Sequence, residues 1–147
     1  MRQLVVSSVQ GEEFGVGIED VNSIERMMEI FKIPNTPDYI EGMINLRGKI
    51  HTIINLRKRF HMPDKEFDEE NRIIIVKASG SAIGLIVDSV KEILNVDESN
   101  IEAAPKTMAQ LEGRYISSMA KVGERIIMQL DLDKILAVDD AAKAVNV

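Results

Sequence analysis

Few residues in this chain of 147 are suited to chemistry. It has no cysteine, which excludes thiol nucleophiles, thiolate metal ligands and disulfides and fits a reducing compartment. His51 and His61 are the only histidines, and neither has a second ligand at zinc-site spacing. His51 falls in an apolar run and reads as a packed or half-exposed side chain. The acid-rich run 64–71, DKEFDEEN, lacks apolar support and reads as a solvated connection rather than a carboxylate site. A phosphate-cradling glycine loop, a Gly-x-Ser-x-Gly elbow and an Asp-rich calcium loop are all missing. Neither a cofactor nor a metal is therefore expected.

One residue does stand out for recognition rather than catalysis. Arg47 precedes Gly48 between two apolar runs, Met43, Ile44 and Leu46 on one side and Ile50, Ile53, Ile54 and Leu56 on the other. This is the pattern of a hairpin with a tight turn, in which Gly48 supplies a positive φ at no steric cost. Arg47 then sits at the tip, where a guanidinium can grip a partner carboxylate through two N–H groups; a merely solvated turn arginine is the competing reading. Charge adds to the picture. Residues 42–63 hold Arg47, Lys49, Arg57, Lys58 and Arg59 and no acid, so a net charge of −6 for the chain leaves −11 on the rest. A basic island on an acidic protein suits an acidic protein surface, although a sheet edge protected by cations looks the same. A pI near 5.0 argues against nonspecific binding of nucleic acid.

The elements that must position this tip read mainly as strands. Residues 4–9 form a first strand, Gly11 a turn, and residues 14–18 a second, with Gly15 and Gly17 on one face as if another backbone packed there. Ile24, Met27, Met28 and Phe31 fall at helical spacing, but we assign 21–25 to a strand followed by a loop. Pro34 and Pro37 leave room for one helical turn at most between them. Strands follow at 72–77 and 82–87 around Ser79-Gly80-Ser81, then an irregular loop at 98–111. A last hairpin pairs 115–122 with 125–130, and a helix begins at Asp131 or Asp133 with Leu132, Ile135 and Leu136 buried. A weak repeat runs through the chain. GVGIEDVNSI at 15–24 aligns with GLIVDSVKEI at 84–93, an offset of 69, and YIEGM at 39–43 with YISSM at 115–119, an offset of 76.

The run TPDYIEGMINLRGKI, followed by INLRKRF, resembles the signature of CheW, the coupling-protein family of bacterial and archaeal chemotaxis, with its G-x-x-N-L-R-G motif at 42–48. AIGLIVDSVKEIL is similar to the family's G-x-x-V-D-x-V pattern. The resemblance spans about residues 3–136. It implies a mainly β fold of two five-stranded SH3-like barrels around a shared core, with a short C-terminal helix. The first barrel would occupy 14–63 and the second 72–130, while the N-terminal strand and a helix at 131–145 pack across a single CheW-like domain 1–147. It implies a non-catalytic cytoplasmic adaptor, recruited to membrane receptor arrays, that binds the regulatory domain of the chemotaxis histidine kinase CheA and the cytoplasmic tips of chemoreceptors. The family arginine falls on Arg47 beside Gly48, its apolar partner-binding position on Val21, and groove contacts near Val87 and Val90; Ser23, Ile24 and Gly42 complete the expected surface. Ser23 replaces the carboxylate usual in V-x-E-I, so Arg47 should be freer or pair elsewhere. His51-Thr52 replaces V-P, and Asn55 the common Asp. Against the adaptor stand an RNA-binding small barrel using the basic island, which the aromatic content of 4% disfavours, and a small-molecule domain, which would need a deep pocket.

Overall fold

The computed structural model describes residues 1–105 and 112–137. Its strands are β1 (Arg2–Val9), β2 (Glu12–Gly17), β3 (Val21–Arg26), β4 (Ile40–Leu46), β5 (Lys49–Asn55), β6 (Arg72–Ala78), β7 (Ser81–Val87), β8 (Ser89–Val96), β9 (Ile101–Ala103), β10 (Ile116–Val122) and β11 (Arg125–Leu130). Two short helices, α1 (Leu56–Arg59) and α2 (Leu132–Leu136), follow β5 and β11. The strands form a six-stranded sheet in the order β8-β1-β2-β11-β10-β9 and a five-stranded sheet in the order β3-β6-β7-β5-β4. Each sheet wraps its own apolar cluster without closing its ladder into a ring: Leu4, Val6, Ala120 and Ile127 in the first, and Ile44, Ile53, Ile73 and Ile75 in the second. A third and larger cluster joins the two sheets, with Val5, Phe14 and Val16 facing Ile54, Ile74, Val76 and Leu85. Strands such as β6 are thus buried on both faces, which is why they read as unbroken apolar runs rather than alternating ones.

The repeat is visible in three dimensions, with a twist in connectivity. β4 and β5 correspond to β10 and β11 at an offset of 76, and β3 corresponds to β8 at 69. Even the bulges correspond: Asn22 in β3 and Lys91 in β8 are the extra residues opposite β6 and β1, and Glu41 in β4 and Ser117 in β10 those opposite β5 and β11. The hairpins β1–β2 and β6–β7 have exchanged places, however, so each sheet contains strands from both halves of the chain. The strand order therefore divides the molecule differently from the contiguous split 14–63 and 72–130. Exchange lets each hairpin bury one face inside a sheet and the other between sheets.

The β3 assignment holds against the helical spacing of residues 24–31, because Ile24 pairs with Ile74 in a ladder that helix could not supply. Three details differ from expectation. Ile18 lies in a 3-10 turn, not in β2; β8 went unrecognised; and 98–111 includes β9, while 106–111 lies outside the described residues. A Cβ on Gly15 would meet the side chains of Ile127 (Cγ2 at 3.0 Å) and Leu4, so β2 faces side chains there and not another backbone. Asp131 caps α2 by accepting from the Lys134 N–H at 3.1 Å, as the sequence suggests; positions 138–145 of the expected helix lie outside the described residues.

Candidate partner-binding site

The β4–β5 turn places both of its residues in the left-handed region, Arg47 at φ 51° and Gly48 at φ 84°. That is the type I′ geometry whose twist matches the flanking strands. Gly48 adopts it freely, whereas an arginine there costs about 1 kcal/mol. The offset comes from Asn45, whose Oδ1 accepts the Gly48 N–H at 3.1 Å and locks the turn from within the N-L-R-G run. The Arg47 side chain is 74% exposed, and its Nη1 lies 3.6 Å from Glu25 Oε2. Glu25 is on β3 two residues beyond Ser23, hence on the same face, and its side chain is only 14% exposed. The carboxylate missing at Ser23 is thus supplied by Glu25, and Arg47 pairs elsewhere rather than standing alone. Ser23 itself is half-buried opposite Ile75, and Ile24 beside it is 41% exposed.

Gly42 is buried beneath a chain crossing. Phe31 and Met43 exchange two backbone hydrogen bonds of 2.8 Å, and a Cβ on Gly42 would overlap the Phe31 carbonyl oxygen. Its φ of 146° is likewise closed to other residues. Gly42 shapes the site rather than offering a surface to a partner. Val87 is 1% exposed and belongs to the shared core. Val21 and Val90, equivalent positions in the repeat, are half-buried against the same core and keep part of their surface open.

The basic island proves to be three internal cations and two outward ones. Arg57 grips Asp88 with two hydrogen bonds, Nε to Oδ1 at 2.9 Å and Nη2 to Oδ2 at 2.7 Å. This pairing holds the Asp88 carboxyl below its ordinary range and raises Arg57. Asp88 also accepts the Gln10 N–H at 2.8 Å, so the pair fastens α1 to the β1–β2 turn. Lys58 is raised chiefly by its hydrogen bond to Glu41, at 3.0 Å. Arg59 is 2% exposed, its guanidinium lying between the Tyr39 and Tyr115 rings at 4.0 and 4.7 Å. It donates to the carbonyls of Ile135 and Ala137 and so caps the end of α2. Arg47 and Lys49 alone of the five are exposed. Sequence reasoning missed Glu25 and Asp88; the only signal was the presence of Asp88 and Arg57 within the two family-like runs.

Nothing in the geometry of the described residues gathers catalytic groups. No three His, Cys, Asp or Glu residues come together for a metal among the described residues. His51 is half-buried, its Nδ1 3.4 Å from the Ala82 carbonyl. The open depression of about 670 Å3 beside it is lined by Lys49, Thr52, Ser81 and Ala82 and holds no acid, so it assembles no acid–base pair.

Comparison with known proteins agrees with the geometry. A family model described as a CheW-like domain matches residues 3–140. The chain is 31% identical to the chemotaxis protein CheW of Klebsiella aerogenes, covering 99% of this chain and 88% of that one. It is 33% identical to that of Bacillus subtilis, covering 97% and 92%. In three dimensions it is similar to the crystal structure of the scaffolding protein TtCheW from Thermoanaerobacter tengcongensis, with a TM-score of 0.89, 38% identity and 94% of each chain covered. With nearly the whole chain matched in sequence and in fold, it belongs to the CheW family.

Proposed function

We propose that this chain is a non-catalytic scaffold of chemotaxis that couples chemoreceptors to the histidine kinase CheA, binding the kinase's regulatory domain and the receptors' cytoplasmic tips. One observation carries the reading beyond family membership. Arg47 is mounted on a rigid type I′ turn with most of its guanidinium in solvent, while Arg57, Lys58 and Arg59 are occupied within the protein. No helix among the described residues is long and apolar enough to cross a membrane, consistent with a cytoplasmic protein brought to the membrane by its receptors.

Such a scaffold alters kinase output only if it contacts two kinase arrangements differently, so that receptor state shifts their balance. Modest individual contacts suffice, because repetition in an array raises effective concentration. The test is calorimetric titration of the full chain with the regulatory domain of the kinase and, separately, with the receptor tip. Saturable binding by the wild type is expected, with Arg47→Ala weakening one of the two by roughly five- to tenfold, the size of a typical anchoring contact. Absence of binding to both folded partners would sink the reading.

A further inference from the structure

β3 and β4 are the two edge strands of the five-stranded sheet, and the Arg47 tip reaches across the opening between them to Glu25. Glu25 pairs in register with Ile73, and its side chain is 14% exposed. Arg47 is the cation within ion-pair distance of Glu25 among the described residues. The contact does not use up the arginine. At 3.6 Å the contact is too long for a hydrogen bond, and at 74% exposure most of the guanidinium N–H fork remains available.

Two roles for Glu25 would follow from such a pair: holding the arginine in place, or partly neutralising it. The backbone decides between them. Arg47 is already placed by its left-handed turn and by the Asn45–Gly48 hydrogen bond. A loose 3.6 Å contact adds little to that placement, and neutralisation remains.

We infer that Glu25 is a built-in competitor for Arg47, setting how strongly the tip takes an acidic side chain of a partner protein. The inference rests on the scaffold reading and names a specificity-determining residue within it. A partner carboxylate that grips two N–H groups at hydrogen-bond distance displaces the longer Glu25 contact; one that offers only a distant charge does not. The second half of the molecule shows that the seam can do without the charge. At the position equivalent to Glu25 stands Leu94, packed with Ile101 and Val122 in the cluster of the six-stranded sheet.

The experiment measures affinity of the wild type, Glu25→Gln, Arg47→Ala and the double variant for the kinase regulatory domain and for the receptor tip. For whichever partner Arg47→Ala weakens, Glu25→Gln is expected to bind about two- to fivefold tighter, the range of an exposed ion pair. No gain is expected from Glu25→Gln in the Arg47→Ala background. Glu25→Leu, which copies the residue type found at position 94, gives the same readout should the glutamine variant fold poorly. Unchanged or weaker binding by both folded Glu25 variants, with Arg47→Ala still harmful, overturns the inference and leaves the scaffold reading intact. Wild-type binding that Arg47→Ala does not touch also overturns it. Loss of wild-type binding to both partners removes the scaffold reading, and the inference with it.

Discussion

The two halves of this molecule share a template down to the positions of their bulges, yet they finish it differently at the seam. In the second half the seam is apolar: Leu94, Ile101 and Val122 pack on Ala120 and Ile127, and β9 covers the outer edge of β10 through three residue pairs. In the first half Glu25 and Arg47 meet across the opening, and the edge of β4 is covered by one bridge, Phe31 to Met43. The turns differ as well. Arg47-Gly48 has a positive φ at both residues, whereas the equivalent Gly123-Glu124 has one at Gly123 alone. The helices keep a common job by unlike means. Arg57 in α1 reaches Gln10 through Asp88, while its counterpart Asp133 in α2 accepts directly from the N–H and hydroxyl of Ser79, the counterpart of Gln10. Scaffold positions have thus kept their geometry under changed chemistry, and the polar, open seam lies in one half only.

This contrast can be attacked at several points. The largest effect is expected at the β4 crossing. Gly42→Ala should cost about 3 kcal/mol or more, from backbone strain and two disrupted hydrogen bonds, seen as a lower denaturation midpoint. Ser118→Gly, at the equivalent bulge of β10, should cost less than about 1 kcal/mol, because Ser118 already carries a Cβ beside its paired strand β9 and one side-chain hydrogen bond to Gln129 is lost. Equal losses would show that the crossing is not what singles out the first half.

Breaking the helix anchor comes next. Arg57→Ala should destabilise by about 2–3 kcal/mol, since it strands a mostly buried carboxylate. The pH dependence has a definite sign. Asp88 titrates lower folded than unfolded, so its contribution is present above the ordinary carboxylate value of about 3.9 and disappears as pH falls through the folded value. Arg57→Ala should therefore flatten the loss of stability on acidification, and a parallel acid titration of both proteins would refute the assignment.

Smaller effects separate the two sheet interiors. A Cβ on Gly84 would overlap Ile53 and lie 2.8 Å from Ile73 Cγ2, while on its counterpart Gly15 the nearest atom is Ile127 Cγ2 at 3.0 Å. Gly84→Ala should cost about 2 kcal/mol by overpacking and Gly15→Ala about half of that. Least of all, Arg47→Ala should change stability by less than about 0.5 kcal/mol, the scale of an exposed ion pair, while altering partner affinity. A large drop in melting temperature with affinity intact would make Arg47 a structural residue.

Much of this was determined by the sequence alone. Turn residues and apolar runs marked most strands, and the Asn45–Gly48 run announced the hairpin and its exposed arginine, because turn chemistry is local and depends on side chains a few residues apart. The duplication was legible for the same reason, as residue spacing preserved through both halves. Tertiary structure alone decided how the halves combine. The exchange of β1–β2 with β6–β7 leaves no local mark, since the central residues of all four strands are buried on both faces and their pattern does not name the sheet they join. It also decided the fate of each charge. Arg47, Arg57 and Arg59 are alike in sequence, but one meets solvent, one Asp88 and one a pair of tyrosine rings. Burial and partner identity depend on which distant strands and loops fold beside a residue, and no spacing along the chain encodes that.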